Sequence, residues 1–221
     1  MFRRLATLAL LPIAALPAVA ATIITQTATT NLVEYAAPVY AGWTQPSTYT
    51  GVTITANLAS FGGGSGATGS AYLMNAQPST TITSASQVGT SVPFAVSSST
   101  PAPITLFTGL TLGPGTYYLV VSNSTGETVA QAAPAGATTV SLGSGVTQGA
   151  QAVENGTEAV YPPDTPFYNL ITGKNQNLLF SVTGNLSTPT VPTLSYWAML
   201  ATAILLAVSG LLFVRRFKTA A

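Results

Sequence analysis

The feature that most constrains the fold is the spacing of apolar residues between positions 21 and 189. No segment there repeats apolar residues with the 3.6-residue period of an amphipathic helix over three turns. Residues 52–58 instead alternate between apolar and polar, as expected of a half-buried strand. Their apolar positions are Val52, Ile54, Ala56 and Leu58. Short runs of this kind, separated by Gly, Pro, Ser or Asn clusters, indicate an all-β fold, an antiparallel β-sandwich.

The same pattern predicts further strands on both sides of this segment. The predicted strands are residues 22–25, 32–35, 38–40, 52–58, 71–74, 81–83, 92–96, 104–107, 116–121, 138–142 and 178–182. The clearest is 116–121, because the turn Gly113-Pro114-Gly115 precedes it. Residues 122–165 are the least regular and poor in aliphatic side chains, so we expect a long loop or small insertion at one end of the sandwich.

The central part of the chain carries very few charges. Between residues 21 and 190, Lys174 is the single basic residue against five acidic residues, which gives a net charge of −4. The acidic residues are Glu34, Glu127, Glu154, Glu158 and Asp164. Without a basic patch this part cannot neutralise a phosphate backbone, which excludes nucleic acid as a partner.

The chain contains no cysteine and no histidine. This excludes disulfides, histidine-based catalytic triads and ordinary zinc sites. Glu154, Glu158 and Asp164 are the one acidic cluster that could serve a glycosidase or bind Ca²⁺. A solvated loop is the favoured interpretation, because no substrate-positioning set and no spaced Asp/Asn/Gly repeat accompanies them. A Ser–Lys catalytic pair could use only Lys174, which lies in a predicted hairpin turn. We therefore predict a non-enzymatic protein without metal or cofactor.

The first twenty residues have the layout of a signal peptide. Arg3 and Arg4 precede an apolar stretch over residues 5–16, and Ala18 and Ala20 supply the small residues of a cleavage site. We therefore predict a signal helix, export through the Sec translocon, and removal by signal peptidase after Ala20.

The C-terminal region predicts a transmembrane helix. The eighteen residues from Trp197 to Val214 carry no charge. As a helix they are about 27 Å long, just enough to cross a hydrocarbon core of about 30 Å. The predicted helix includes Trp197, Ala198, Leu205, Leu206 and Val214. A basic stop follows, and by the positive-inside rule it places the C-terminus in the cytoplasm. It consists of Arg215, Arg216 and Lys218.

A heptapeptide, residues 191–197, stands at the start of this run. Followed by one helix and a basic cluster, it resembles the IPTL-CTERM protein-sorting signal of Gram-negative bacteria. That pattern is Ile-Pro-Thr-Leu, two free positions, Trp and usually Gly. The residues that match in place are Pro192, Thr193, Leu194 and Trp197. Val191 replaces the Ile, and Ala198 replaces the usual Gly.

The resemblance covers about residues 191–218. It implies recognition by an exosortase, a membrane-embedded cysteine transpeptidase that removes the tail and can attach the new C-terminus to a surface carrier. Residues 110–122 are also similar to a segment of the small β-sandwich domains that precede such tails, and that similarity implies no activity.

These features divide the chain into four parts. They are a signal peptide (1–20), a β-sandwich exported domain (21–184), a Pro/Thr/Ser spacer (185–190) and a sorting signal (191–221). The expected precursor is anchored in the inner membrane, and the processed protein reaches the cell surface or extracellular matrix. The open alternative is a permanently anchored single-pass membrane protein with a structural ectodomain.

A polysaccharide-binding or adhesive module is the other hypothesis. Tyr40, Trp43 and Tyr49 lie close in sequence and could form a platform for sugar stacking, although core packing is the favoured interpretation of such aromatics. Formal N-glycosylation sequons also occur, as expected by chance in a chain rich in Asn, Ser and Thr. They begin at Asn123, Asn155 and Asn185.

Overall fold

The computed structural model describes residues 20–61, 66–78, 84–126, 128–154, 170–172, 176–187 and 200–209. Within these residues the chain is mostly antiparallel β-structure, which confirms the predicted all-β class. The chain divides into two compact units, Met1–Ser187 and Thr188–Ala221. The β-structure lies in the first unit, and a helix over residues 200–209 lies in the second.

The strands are numbered in chain order. They are β1 (Ala21–Thr27), β2 (Val33–Ala36), β3 (Val39–Gln45), β4 (Tyr49–Ser60), β5 (Ala67–Met74), β6 (Val92–Val96), β7 (Ala102–Leu112), β8 (Gly115–Thr125), β9 (Thr128–Pro134), β10 (Thr139–Leu142), β11 (Thr147–Glu154), β12 (Leu170–Thr172), β13 (Gln176–Leu178) and β14 (Phe180–Leu186). Short 3₁₀ turns occur at Ser84–Ser86 and Ala135–Ala137.

The strands form two sheets. The eight-stranded sheet has the order β10-β1-β14-β4-β9-β13, with β2 paired to β9 and β7 paired to β4. The six-stranded sheet has the order β12-β11-β3-β8-β5-β6. Both sheets supply residues to one hydrophobic core, among them Ile54 and Phe180 from the first and Trp43 and Leu119 from the second. This shared core fits a β-sandwich.

Alternation of side chains explains how the core forms. In β4 every second residue from Val52 to Leu58 is buried, and the residues between them are half-buried polar residues. In β8 the strand is buried from Tyr117 to Asn123, because both of its faces are covered. Each large aliphatic side chain fully removed from water stabilises the fold by about 1.5–3 kcal/mol. The predicted strands at 52–58 and 116–121 are therefore confirmed, and their burial gives the physical reason.

The prediction of a long loop or insertion over residues 122–165 is wrong where the structure has strands in this range, among which β10 was expected from the predicted strand 138–142. Strand β8 continues to Thr125, and β9, β10 and β11 follow as members of the two sheets. Strand β9 was missed because its apolar residues are mainly alanines, which have weak strand propensity. Residues 155–165 lie outside the described part of the chain, as does the predicted strand 81–83.

The first three residues of the predicted spacer, 185–187, belong to the folded unit. Strand β14 pairs with β4 through Asn185 opposite Thr50 and Leu186 opposite Tyr49, so these two residues belong to the sheet. The backbone N–H of Ser187 still donates to the Thr48 carbonyl at 2.9 Å. The folded unit therefore extends to Ser187.

Candidate functional site

The sorting motif predicted from sequence, residues 191–197, lies outside the described residues. The basic stop (Arg215, Arg216 and Lys218), Val214, Ala198 and the signal residue Ala18 lie outside them too. Ala20 is described, and it is an exposed residue directly before β1. Of the predicted transmembrane helix, the structure describes residues 200–209, which include Leu205 and Leu206.

Helix 200–209 exposes its apolar side chains on every side. All ten residues are exposed, including Leu205 at 67 % and Leu206 at 69 % of their surface. The hydroxyl of Ser209 donates to the Leu205 carbonyl at 2.7 Å, so this polar group is satisfied within the helix itself. Such a helix has no polar face to present to water. The exposed surface of this helix is therefore mostly apolar.

Within the described ranges, no helix combines the length and the apolar character that a membrane crossing requires.

The three aromatic residues proposed as a glycan platform are buried. Trp43 has no exposed surface, and its ring packs against Tyr117 and Phe180 with centroid distances of 5.7 and 6.1 Å. Tyr49 belongs to the same core and is 4 % exposed. These rings present no free face on which a sugar could stack.

Tyr40 lies in a different cluster from Trp43 and Tyr49. It belongs to a second group of buried residues, formed by alternate positions of β3, β5 and β8. The members of this group are Tyr40, Tyr72, Met74, Tyr118 and Val120. The Tyr40 ring packs edge to face against Tyr118 with a centroid distance of 6.0 Å, and the Tyr40 hydroxyl accepts a hydrogen bond of 3.2 Å from Gln77 Nε2. The structure therefore does not bring the three aromatics together on one surface.

Burial perturbs the acidity of three tyrosines. Removal from water raises the pKa of Tyr72, Tyr117 and Tyr118, because the phenolate would be poorly solvated. The nearby Tyr40 raises the pKa of Tyr118 further. Hydrogen bonding with the Ser70 side chain and with the Gly113 backbone partly opposes the rise in pKa of Tyr72 and Tyr117, respectively. These phenols are neutral at physiological pH and act as packing groups.

Buried amides are the polar groups that the sequence analysis missed. Gln26, Gln45 and Asn123 are 1 %, 1 % and 4 % exposed, and each follows a core residue two positions earlier on its strand. The sequence signal that could have identified these residues is an amide at a position where the period-two pattern of the strand calls for an apolar residue. Because a buried amide must find partners, such a residue marks a specific tertiary contact.

Asn123 shows what such a contact does. Its Nδ2 donates to the Ala37 carbonyl at 3.2 Å, and its Oδ1 accepts from the Thr128 N–H at 2.8 Å. The side chain thus joins β8 to the chain entering β3 and to β9. Since both amide atoms are used inside the fold, the sequon at Asn123 cannot accept a glycan in the folded protein.

The outer face of the eight-stranded sheet carries hydroxyl groups in register. Cross-strand partners form one row over β10, β1, β14, β4 and β7. Its residues are Ser141, Thr25, Ser181, Thr55 and Thr105. The Thr25 and Ser181 hydroxyl oxygens lie 2.8 Å apart and share a hydrogen bond. Hydroxyls thus supply a polar surface on a sheet that carries few charges.

The catalytic and metal alternatives gain no site within the described part of the chain. No group of three or more His, Cys, Asp or Glu residues there could hold a metal ion. Lys174, Glu158 and Asp164 lie outside the described residues, and Glu154 contributes its backbone to β11.

Comparisons with protein-family models, with curated proteins and with solved structures found no match to this chain.

Proposed function

We propose that this protein is a non-enzymatic surface or matrix protein and the substrate of an exosortase-type transpeptidase. In this proposal the Sec translocon exports the chain and signal peptidase cleaves it after Ala20. The C-terminal helix then holds the precursor in the inner membrane with its C-terminus in the cytoplasm. The transpeptidase recognises Val191 to Trp197 and removes the helix.

The observation that carries the proposal is the apolar surface of helix 200–209. Its large side chains are exposed to between 39 % and 69 %. They are Leu200, Ile204, Leu205, Leu206 and Val208. Leaving this much apolar surface in water is unfavourable by about 25 cal/mol per Å², so a lipid environment is its natural solvent. The basic cluster that follows in sequence would fix the orientation.

The end of the folded domain also supports the proposal. Within the described residues, the last backbone hydrogen bond of the β-domain is donated by Ser187, and three residues separate Ser187 from Val191 in sequence. The motif therefore begins shortly after the last described strand, β14. A protease substrate requires its cleavage site outside the packed core, because a paired strand cannot enter an active site.

The lack of histidine and cysteine in the whole sequence supports a non-enzymatic role. The chain has no histidine and no cysteine, so the common nucleophile–base pairs cannot be assembled. The sandwich would then serve as the cargo that the sorting signal delivers.

The test is intact mass of the protein from its native host, in membrane and released fractions. We expect a species that begins near Ala21 and ends within the motif. The double variant Pro192→Ala/Thr193→Ala should be exported normally and keep its tail. The matched control Pro189→Ala/Thr190→Ala changes the same residue types three positions upstream, and it should be processed like the wild type.

Two outcomes contradict the proposal. Unchanged processing of the Pro192/Thr193 variant would show that the motif is not recognised. A single wild-type species that retains Arg215 to Ala221 would show instead a resident single-pass membrane protein.

A further inference from the structure

Four amide side chains from both sheets meet beside β11. Gln148 and Gln151 come from β11 in the six-stranded sheet, whereas Gln26 comes from β1 and Asn177 from β13 in the eight-stranded sheet. We call this group the amide clasp. It joins the two sheets by hydrogen bonds at a place where a sandwich ordinarily uses apolar side chains.

One backbone N–H group fixes which end of each amide in the clasp is the oxygen and which is the nitrogen. The N–H of Leu178 donates to Gln151 Oε1 at 2.7 Å, so the other end of that amide must be the nitrogen. Gln151 Nε2 then donates to Gln26 Oε1 at 3.1 Å and to Asn177 Oδ1 at 3.2 Å. Gln148 Nε2 donates to the same Asn177 oxygen at 2.9 Å. Rotating any one amide by 180° would break these bonds.

This fixed orientation leaves one donor unsatisfied. Gln26 is 1 % exposed, and its Nε2 has no acceptor within the described part of the chain. A buried donor without a partner destabilises the closed arrangement relative to one in which water reaches it. The clasp therefore joins the two sheets, but the unsatisfied Gln26 donor lowers the stability of the closed arrangement.

The described side chains of β11, those of residues 147–151, are small or polar. None of its described side chains, residues 147–151, belongs to the hydrophobic core. Its pairing with β3 is also interrupted by a register shift between Gln148 and Gln151. By contrast β3 pairs with β8 without interruption from Val39 to Gln45, and both strands supply core residues.

We propose that β11 is a detachable edge of the sandwich, held in place mainly by the amide clasp. Strand β11 opens as a local unit, together with β12, whose pairing in the six-stranded sheet is with β11. The β3–β8 pair and the core remain folded. Opening frees the backbone groups of β3 along the side that pairs with β11.

The proposal is tested by native-state hydrogen exchange of the full chain in detergent micelles, followed by NMR at single amides. Amides of β11 and those β3 amides that donate to β11 should exchange at least about tenfold faster than β3 amides that donate to β8. Their rates should be insensitive to low urea concentrations, because local opening exposes little surface. Equal rates and equal urea dependence on the two sides of β3 would overturn the proposal.

Two variants sharpen this test. Gln151→Ala removes the central amide, and it should speed exchange in β11 by about tenfold or more while leaving β8 unchanged. Gln131→Ala is the matched control. Asn57 Nδ2 donates to Gln131 Oε1 at 3.1 Å, and neither residue belongs to β11 or to the amide clasp. Acceleration of β8 to the same extent as β11 in Gln151→Ala would show that the clasp supports the whole fold and would also overturn the proposal.

Discussion

The indole Nε1 of Trp43 donates a hydrogen bond of 3.0 Å to Oε1 of Gln45, two residues further along β3. Because an indole N–H can only donate, this bond fixes which end of the Gln45 amide carries the nitrogen. Gln45 Nε2 then points at the carbonyls of Leu112 and Gly113, at 3.1 and 3.0 Å. One buried amide thus joins the largest core side chain to the turn between β7 and β8.

We expect Gln45→Leu to lower the free energy of unfolding by about 2–4 kcal/mol, because it leaves the buried Trp43 N–H without its partner and removes the amide hydrogen bonds to the Ser47, Leu112 and Gly113 carbonyls. The measurement is urea unfolding of the full chain in detergent, followed by near-ultraviolet circular dichroism.

The matched control for Gln45 is Gln87→Leu. Gln87 Nε2 also donates to a carbonyl two residues away, that of Gly89, but in an exposed position. Its replacement should change the free energy of unfolding by about 0.5 kcal/mol or less. Similar losses in the two variants would contradict the role assigned to Gln45.

Asn123 provides a second test of the buried amides. Asn123→Ala should destabilise the fold by about 2–4 kcal/mol, because the Thr128 N–H and the Ala37 carbonyl lose their partner inside the protein. Asn57→Ala should cost about 1 kcal/mol, since Asn57 is half-buried and bonds to the Gln131 side chain. Urea unfolding compares the two, and an equal or smaller loss for Asn123→Ala would contradict the assignment.

Most of the strands could be located from local pattern alone, although strands such as β4 and β7 are much longer than the predicted segments. In β4 and β8 the apolar residues are large and regularly spaced, so that burial and strand propensity favour the same structure. In β9 and β11 alanine and glutamine replace the large residues, and pairing with neighbouring strands decides their structure. Sequence periodicity does not contain that information.

The buried contacts could not be predicted, for a different reason. Gln45 reaches a carbonyl 67 residues away, and Asn123 reaches one 86 residues away. Such contacts depend on strand order and register, including the register shifts along β4 and β7. The burial of Trp43 was one of two open interpretations, and it was decided by the position of β3 inside the six-stranded sheet.

Two glycines provide a test of packing. A Cβ added at Gly42 would lie 2.6 Å from Tyr118 Cε1 and 3.0 Å from the Ala150 carbonyl oxygen, whereas one added at Gly136 would meet nothing within 4 Å. Gly42→Ala should therefore destabilise the fold by about 1–3 kcal/mol through overpacking. Gly136→Ala should be neutral or stabilise it by up to about 1 kcal/mol. Thermal unfolding separates them, and a neutral Gly42→Ala would contradict the close packing of β3 on Tyr118.

The stability of the protein should fall in alkaline solution. Burial raises the pKa of Tyr72, Tyr117 and Tyr118 above the ordinary value of 10.0, so the folded state holds these protons more tightly than the unfolded chain. Their contribution is fully present below pH 10 and is lost as the pH rises through the higher folded-state pKa values. With no histidine in the sequence, no histidine titration should change stability between about pH 6 and 8.

The measurement for this prediction is the midpoint of thermal unfolding between about pH 7 and 12, where the phenols titrate. Tyr118→Phe keeps the ring that packs on Tyr40 and removes the hydroxyl, so the alkaline loss should become smaller in this variant. Tyr35→Phe is a control of the same chemistry on β2. If Tyr118→Phe loses stability above pH 10 as steeply as the wild type, ionisation of Tyr118 does not contribute to the loss.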